Sequence, residues 1–286
     1  MQEIPFHIRE KIMSYEPIEM DGLVFYPILV RELTHCRTAQ PAIDFLQQSL
    51  PVRYLSMPIL SAYYAMDFEN EQNGKPASGL FYRALLFLVL SLRYRIGEPL
   101  EDRLSAFASC IKVSTQDPTD LKAIEFELGE ETKRITPIQF QRYRPFLAAQ
   151  NGIELVSEDA NPELVEAERD IAEQNGPELE GDPQTMISSV AAFSNVDEVE
   201  IYEWPILKLK RRKEAWERAF GFLLYGFAEC NGAKFKGGNP VPSLFYNRAR
   251  RESNSLISMD SFTKGQQVSV SPGGIPPGTG TDQTNP

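Results

Sequence analysis

The sequence predicts a mainly α-helical fold, a helical bundle core carrying a small β-hairpin insertion. Three observations predict it. An apolar run, "ALLFLVLSL" from Ala84 to Leu92, is closed off by Arg83 and Arg93, and a helix apolar all round belongs in the middle of a bundle. Late in the chain Ile206, Leu209, Lys213, Trp216, Phe220, Leu223 and Phe227 follow one another at steps of three and four. That is the period of a helix, with Lys213 the one charged position in an apolar stripe. By contrast "AIEFEL" alternates Ile124, Phe126 and Leu128 with polar neighbours, the mark of a half-buried strand. With 286 residues and 42% hydrophobic content the chain can bury a substantial core.

The elements follow in order. Residues 1–113 form an N-terminal helical region. Within it "GLVFYPILVREL" begins as a strand-like run, Leu23 to Tyr26. Pro27 removes one ladder donor and holds Tyr26 extended. "PAIDFLQQSL" places Ile43, Leu46 and Leu50 at helical spacing until Pro51 stops it. Ser56 and Pro58 open a second helix with Ile59, Tyr63 and Met66 on one face. A polar loop, "ENEQNGKPASG", leads into the apolar helix, expected from Leu80 to Tyr94.

Residues 114–156 read as a β-hairpin plus helix module. "AIEFEL" is one strand, "GEET" the turn and "KRIT" the return. Thr136-Pro137-Ile138-Gln139 has the form of a capping box with proline at the first helical position. The helix it opens carries Phe140, Tyr143 and Leu147, with a bend expected at Pro145 and a stop at Gly152. Residues 157–190 are an acidic helix and linker, the helix opened by Asn161-Pro162. Residues 191–264 form a C-terminal helical region, whose long helix starts at Pro205 and is capped by Asn231-Gly232. Half of "SPGGIPPGTGTDQTNP" is Gly or Pro, so residues 265–286 are expected to be a disordered tail.

Composition excludes several functions. The net charge of −11 is almost wholly local: Glu154 to Asp182 holds eleven carboxylates against Arg169. The remainder is near neutral, and no general nucleic-acid affinity is expected. The longest apolar run is far shorter than the roughly 20 residues that span a bilayer, and no secretory leader is read at the N-terminus. Cys36, Cys110 and Cys230 are odd in number and far apart, which argues against disulfides and against zinc. His35-Cys36 are adjacent, so they do not face each other as a catalytic dyad. "NGAKFKGGNP" has the glycine spacing of a phosphate loop but puts Gly238 and Asn239 where lysine and Ser/Thr are required. No enzyme signature is found, and neither cofactor nor metal is expected.

The candidate partner-binding residues are Lys208, Lys210, Arg211 and Arg212 in "KLKRRK", a dense basic cluster. On the helix they fall mostly off the apolar stripe. They read first as a solvated face, and second as a contact for an acidic partner.

Four stretches together resemble the tail assembly chaperone-like proteins of tailed phages and prophages: "FYPILVREL", "ITPIQFQRYRPFLAAQNGIEL", the acidic "NPELVEAERDIA", and "VDEVEIYEWPILKLKRRKEAWERAFGFLLYGFAECNGAKFKG". The shared order is an early extended Y-P-I segment, a central helix ending in a Q-N pair and a late helix ending in a glycine turn. The resemblance implies a non-enzymatic protein of the host cytoplasm. It would bind apolar segments of the tape measure protein and tail tube subunits, with homo-oligomerisation left open. The alternative it implies is a structural virion component of the tail, neck or baseplate.

Overall fold

The computed structural model describes residues 4–35, 39–47, 50–76, 78–110, 121–128, 131–155, 182–235 and 238–245. Met1–Val156 and Glu178–Ala249 make up one compact unit. A second unit, Ser157–Pro177 with Arg250–Pro286, lies outside the described residues, and with it the expected acidic helix and tail.

Helix α1 (Phe6–Ser14) leads into a hairpin of β1 (Ile18–Met20) and β2 (Leu23–Phe25), paired Ile18↔Phe25 and Met20↔Leu23. Asp21 and Gly22 both have positive φ, 50° and 75°, as the tight two-residue hairpin turn requires. Only the β2 side of this hairpin is expected from the apolar pattern. Short helices α2 (Val30–His35) and α3 (Ala39–Asp44) follow, with 3-10 turns at Phe45–Gln47 and Val52–Tyr54.

Helix α4 (Ile59–Gln72) begins after Pro58 as expected, but runs four residues into the polar stretch read as a loop. Asn73 ends it and Gly74, at φ 63°, turns the chain. Asp67 of α4 reaches forward to accept hydrogen bonds from the Ser78 and Phe81 amides, at 2.7 and 3.3 Å. It thereby satisfies orphan donors at the start of α5 (Leu80–Leu92). Arg93 in the left-handed region ends α5 two residues before the expected Tyr94.

Every residue of α5 from Ala84 to Leu92 is buried, confirming it as the axis of the bundle. Helices α3 and α4, α6 (Leu100–Ala108) and strand β2 pack around it. Each Leu or Phe fully buried there contributes about 1.5–3 kcal/mol. Phe45 sits in the middle of an aromatic group, its ring 5.5 Å from Phe87, 5.9 Å from Phe140 and 6.1 Å from Tyr63.

The insertion is a hairpin of β3 (Ile124–Leu128) and β4 (Glu131–Ile135), Ile124 facing Ile135. Phe126 packs on Phe107 of α6 with ring centroids 4.9 Å apart, so the module is stitched into the main core. Helix α7 (Pro137–Gln150) starts with the full capping box: Gln139 N donates to Thr136 Oγ1 at 3.2 Å, and the Gln139 side chain accepts from Thr136 N at 2.9 Å.

Two unexpected helices follow, α8 (Pro183–Ser194) and α9 (Glu198–Tyr202), capped by the carboxylates of Asp182 and Asp197. Helix α8 runs across residue 190, where the acidic linker was expected to end. Ile187, Val190 and Ala191 of α8 and Ile201 of α9 form a smaller core with Trp204, Val30 and Leu209. The last element is α10 (Ile206–Cys230), preceded by Pro205 and ended by Asn231 and Gly232. Among the described residues the fold is mainly α, with two small antiparallel hairpins. None of its helices is long and apolar enough to cross a membrane.

Candidate functional site

The base of α10 is held at a junction built on Tyr26–Val30. This segment leaves β2 extended and enters the core, so its backbone polar groups need partners. Different helix ends supply them. Tyr26 N donates to Ser91 O near the end of α5 at 2.7 Å. Ile28 N donates to Asn151 Oδ1, just past α7, at 3.0 Å. Ile28 O accepts from Ile206 N of α10, and Val30 N donates to Trp204 O, both at 2.9 Å. Gln150 Nε2 donates to Phe25 O at 3.0 Å. The Y-P-I segment, the Q-N pair and the W-P start of the late helix therefore meet in one place.

Three of the four predicted basic residues are tied to this base. Lys208 Nζ lies 4.0 Å from the centre of the Trp204 ring. Lys210 Nζ donates to the carbonyls of Asn151 and Gly152, at 3.4 and 3.2 Å, where a cation complements the C-terminal end of α7. Burial holds its pKa below the ordinary lysine value, against the opposing charges of Asp44 and Glu214. Arg211 stacks over Tyr15, 5.4 Å from the ring centre, and Nη2 lies 3.1 Å from Met13 Sδ. Arg212 is exposed. The cluster is thus divided among different neighbours.

Beyond the base, α10 leaves its packing. Its 25 residues extend about 37 Å at 1.5 Å per residue. Ile206, Leu207 and Leu209 are buried, and no residue after Leu209 is. The predicted stripe continues nonetheless. Trp216 is half-buried: its ring lies 5.5 Å from Phe193 of α8, and its Nε1 donates to Ser194 Oγ at 3.2 Å. Phe220 packs on Phe193 at 5.1 Å but stays 47% exposed. Leu223, Leu224 and Phe227 are 65%, 66% and 72% exposed.

The chain itself covers a different side of this helix. Beyond the glycine turn, Phe235, Asn239 and Val241 lie against Tyr225, Glu229 and Gly221. The Phe235 ring is 5.4 Å from Tyr225, and Asn239 Nδ2 donates to Glu229 Oε2 at 2.8 Å. A Cβ on Gly221 would meet the Val241 side chain at 3.1 Å, so Val241 sits close against the helix here. The face of Phe220, Leu223 and Phe227 remains open.

Between α8 and α10, where the open face begins, lies a groove of about 310 Å³ lined by Met186, Val190, Phe193, Trp216 and Phe220, with Lys213 at its rim. The arrangement provides an apolar groove continuing into an apolar helix face, a surface suited to another amphipathic helix. Among the described residues, no three His, Cys, Asp or Glu side chains come together to hold a metal.

The chain matches no protein-family model, curated protein or solved structure. The site therefore rests on its own geometry. Leu223 and Phe227 belong to the helical stripe visible in the sequence, Leu224 lies beside it, and burial along that helix ends at Leu209.

Proposed function

We propose that this is a non-enzymatic binding protein that receives an apolar helical segment of another protein along the open face of α10. The observation that carries the reading is the continuous exposure of Phe220, Leu223, Leu224 and Phe227, on a helix whose base is anchored and whose Gly221–Tyr225 side is already covered. An exposed apolar face of this kind marks an interaction surface. The resemblance to tail assembly chaperone-like proteins of tailed phages and prophages gives the context. There the protein would hold apolar segments of the tape measure protein, and tail tube subunits, in soluble form during assembly. Its net charge of −11 repels like complexes and favours solubility.

The test is co-expression of the full chain with a tape-measure segment from the same phage or prophage. The expected result is a soluble complex that L223E/F227E abolishes while the circular dichroism melt stays unchanged. A tape-measure segment equally soluble alone, or captured equally by the double variant, would sink the reading. Stoichiometric recovery of the protein from purified particles would instead establish the alternative, a structural virion component.

A further inference from the structure

We propose that in the free protein the open face of α10 is occupied by α10 of a second copy, the two helices running antiparallel about a twofold axis. The stripe has the 3-4 repeat of a coiled-coil seam, in which positions a and d pack across the interface. Taking Lys213, Phe220 and Phe227 as a, Trp216, Leu223 and Cys230 are d. Antiparallel pairing sets a against d, and one register satisfies the whole arm. Phe220 meets the partner's Leu223, Trp216 meets the partner's Phe227, and Lys213 meets the partner's Cys230.

Four observations favour this occupant. The same helix carries both the hole and the knob. The groove beside Trp216 measures about 310 Å³, and Phe227, 72% exposed, lies eleven residues (227 − 216) or about 16 Å further along the helix. A twofold axis inserts each Phe227 into the other copy's groove, a closed and self-complementary contact.

Charge also selects the direction. A parallel pair would stack Lys213 on the partner's Lys213, whereas the antiparallel pair puts it beside the negative C-terminal end of the partner's helix. Small residues match as well: Ala219 and Gly226 flank the seam on one side, and the antiparallel register brings Ala219 beside the partner's Gly226. Within one chain a Cβ on Gly226 would meet nothing within 4 Å, yet glycine costs about 1 kcal/mol against alanine in an exposed helix. Close approach of a second helix gives it a role. Finally, the chain's own Phe235 and Val241 lie on the Gly221–Tyr225 side, and Leu223 and Phe227 on the seam stay exposed.

The inference does not rest on the tail-assembly reading, because it is measured with no other protein present. Sedimentation equilibrium of the full chain, in the high-micromolar range and under reducing conditions, is expected to give a dimer. L223E/F227E is expected to give a monomer with an unchanged thermal melt. The register is read by cross-linking: in a Cys36→Ser/Cys110→Ser background, Lys213→Cys is expected to form an intermolecular disulfide with the partner's Cys230 on mild oxidation. Removing Cys230 as well abolishes it. A monomer at every concentration, a dimer indifferent to L223E/F227E, or a Cys230–Cys230 link in place of the Lys213→Cys link overturns the proposal. A monomer that still captures tape-measure segments refutes the dimer alone; a dimer that captures none refutes the binding function alone.

Discussion

Asn151 Oδ1 accepts the Ile28 amide proton at 3.0 Å, across 123 residues of sequence, while its Nδ2 donates to Leu147 O at 2.9 Å. One fully buried amide therefore ends α7 and fixes the extended segment on which α10 is seated. Asn151→Leu leaves a buried Ile28 N–H without a partner and should cost about 1–3 kcal/mol. Asn151→Asp keeps the acceptor for Ile28 but loses the donor to Leu147. Urea denaturation should show both variants destabilised with the m-value unchanged. A midpoint equal to that of the unmodified protein for Asn151→Leu would mean the junction does not hold the fold together.

Gly152 follows at φ 65°, and a Cβ there would meet Leu207 Cδ1 at 3.1 Å and Lys210 Cδ at 3.2 Å. Two costs add at this position: a left-handed backbone carrying a side chain, and α10 pressed against it. Gly152→Ala should destabilise the fold by about 1–3 kcal/mol, with α10 displaced at its base. Hydrogen exchange is the informative measurement. The variant should lose protection in residues 206–210 and keep it in α5; uniform loss through both would contradict a local effect.

The parts of the fold legible in the sequence are those specified by neighbouring residues. Thr136 and Gln139 form their capping box three residues apart, and α5 needs only its unbroken apolar run. Of the β1–β2 hairpin only the Leu23–Tyr26 run was legible, because strands of three residues are too short to show an alternation. Long-range relations were not legible. Asn151 to Ile28, and Trp204 O to Val30 N, join groups more than a hundred residues apart, and no local pattern marks either. The candidate site lies between these cases. The period of Phe220, Leu223 and Phe227 is plain in the sequence. Its exposure is decided elsewhere, by α8 ending at Ser194 and by Phe235, Asn239 and Val241 packing on another side.

Arg103 of α6 and Glu32 of α2 form an ion pair at 3.1 Å with side chains only 7% and 19% exposed, and among the described residues Arg103 Nε has no partner. Taking both charges out of water offsets much of their attraction, so the pair adds little net stability. Breaking it is another matter. Glu32→Leu alone strands a buried guanidinium and should cost about 3–5 kcal/mol. The double variant Glu32→Leu/Arg103→Met should recover most of that loss. A double-mutant cycle by chemical denaturation checks it; additive losses in the double variant would mean the two charges do not compensate each other.

Tyr143 and Asp21 link stability to pH at both extremes. The Tyr143 hydroxyl donates to Asp21 Oδ2, which also accepts from Arg142. Burial first, and then the bond to Asp21, push the Tyr143 pKa up to about 12. The bond from Tyr143 is the main cause holding the Asp21 carboxyl below its ordinary value. The unfolded chain releases the tyrosine proton near pH 10 and the folded chain only near 12, so between these values the folded state binds more protons. Stability from Tyr143 is therefore fully present below about pH 10 and lost as pH rises to about 12. For Asp21 the sign reverses: its contribution is present above the ordinary carboxylate value and lost as pH falls through the lowered one. Tyr143→Phe should flatten part of the alkaline decline in melting temperature and shift the acid limb upward in pH, because Asp21 loses its main hydrogen-bond donor. The alkaline decline should not vanish, since Tyr54, Tyr63, Tyr64 and Tyr94 are also pushed up by burial. Thermal melts from acid to alkaline pH test both limbs on one variant, and an acid limb that stays in place would show that Asp21 does not depend on Tyr143.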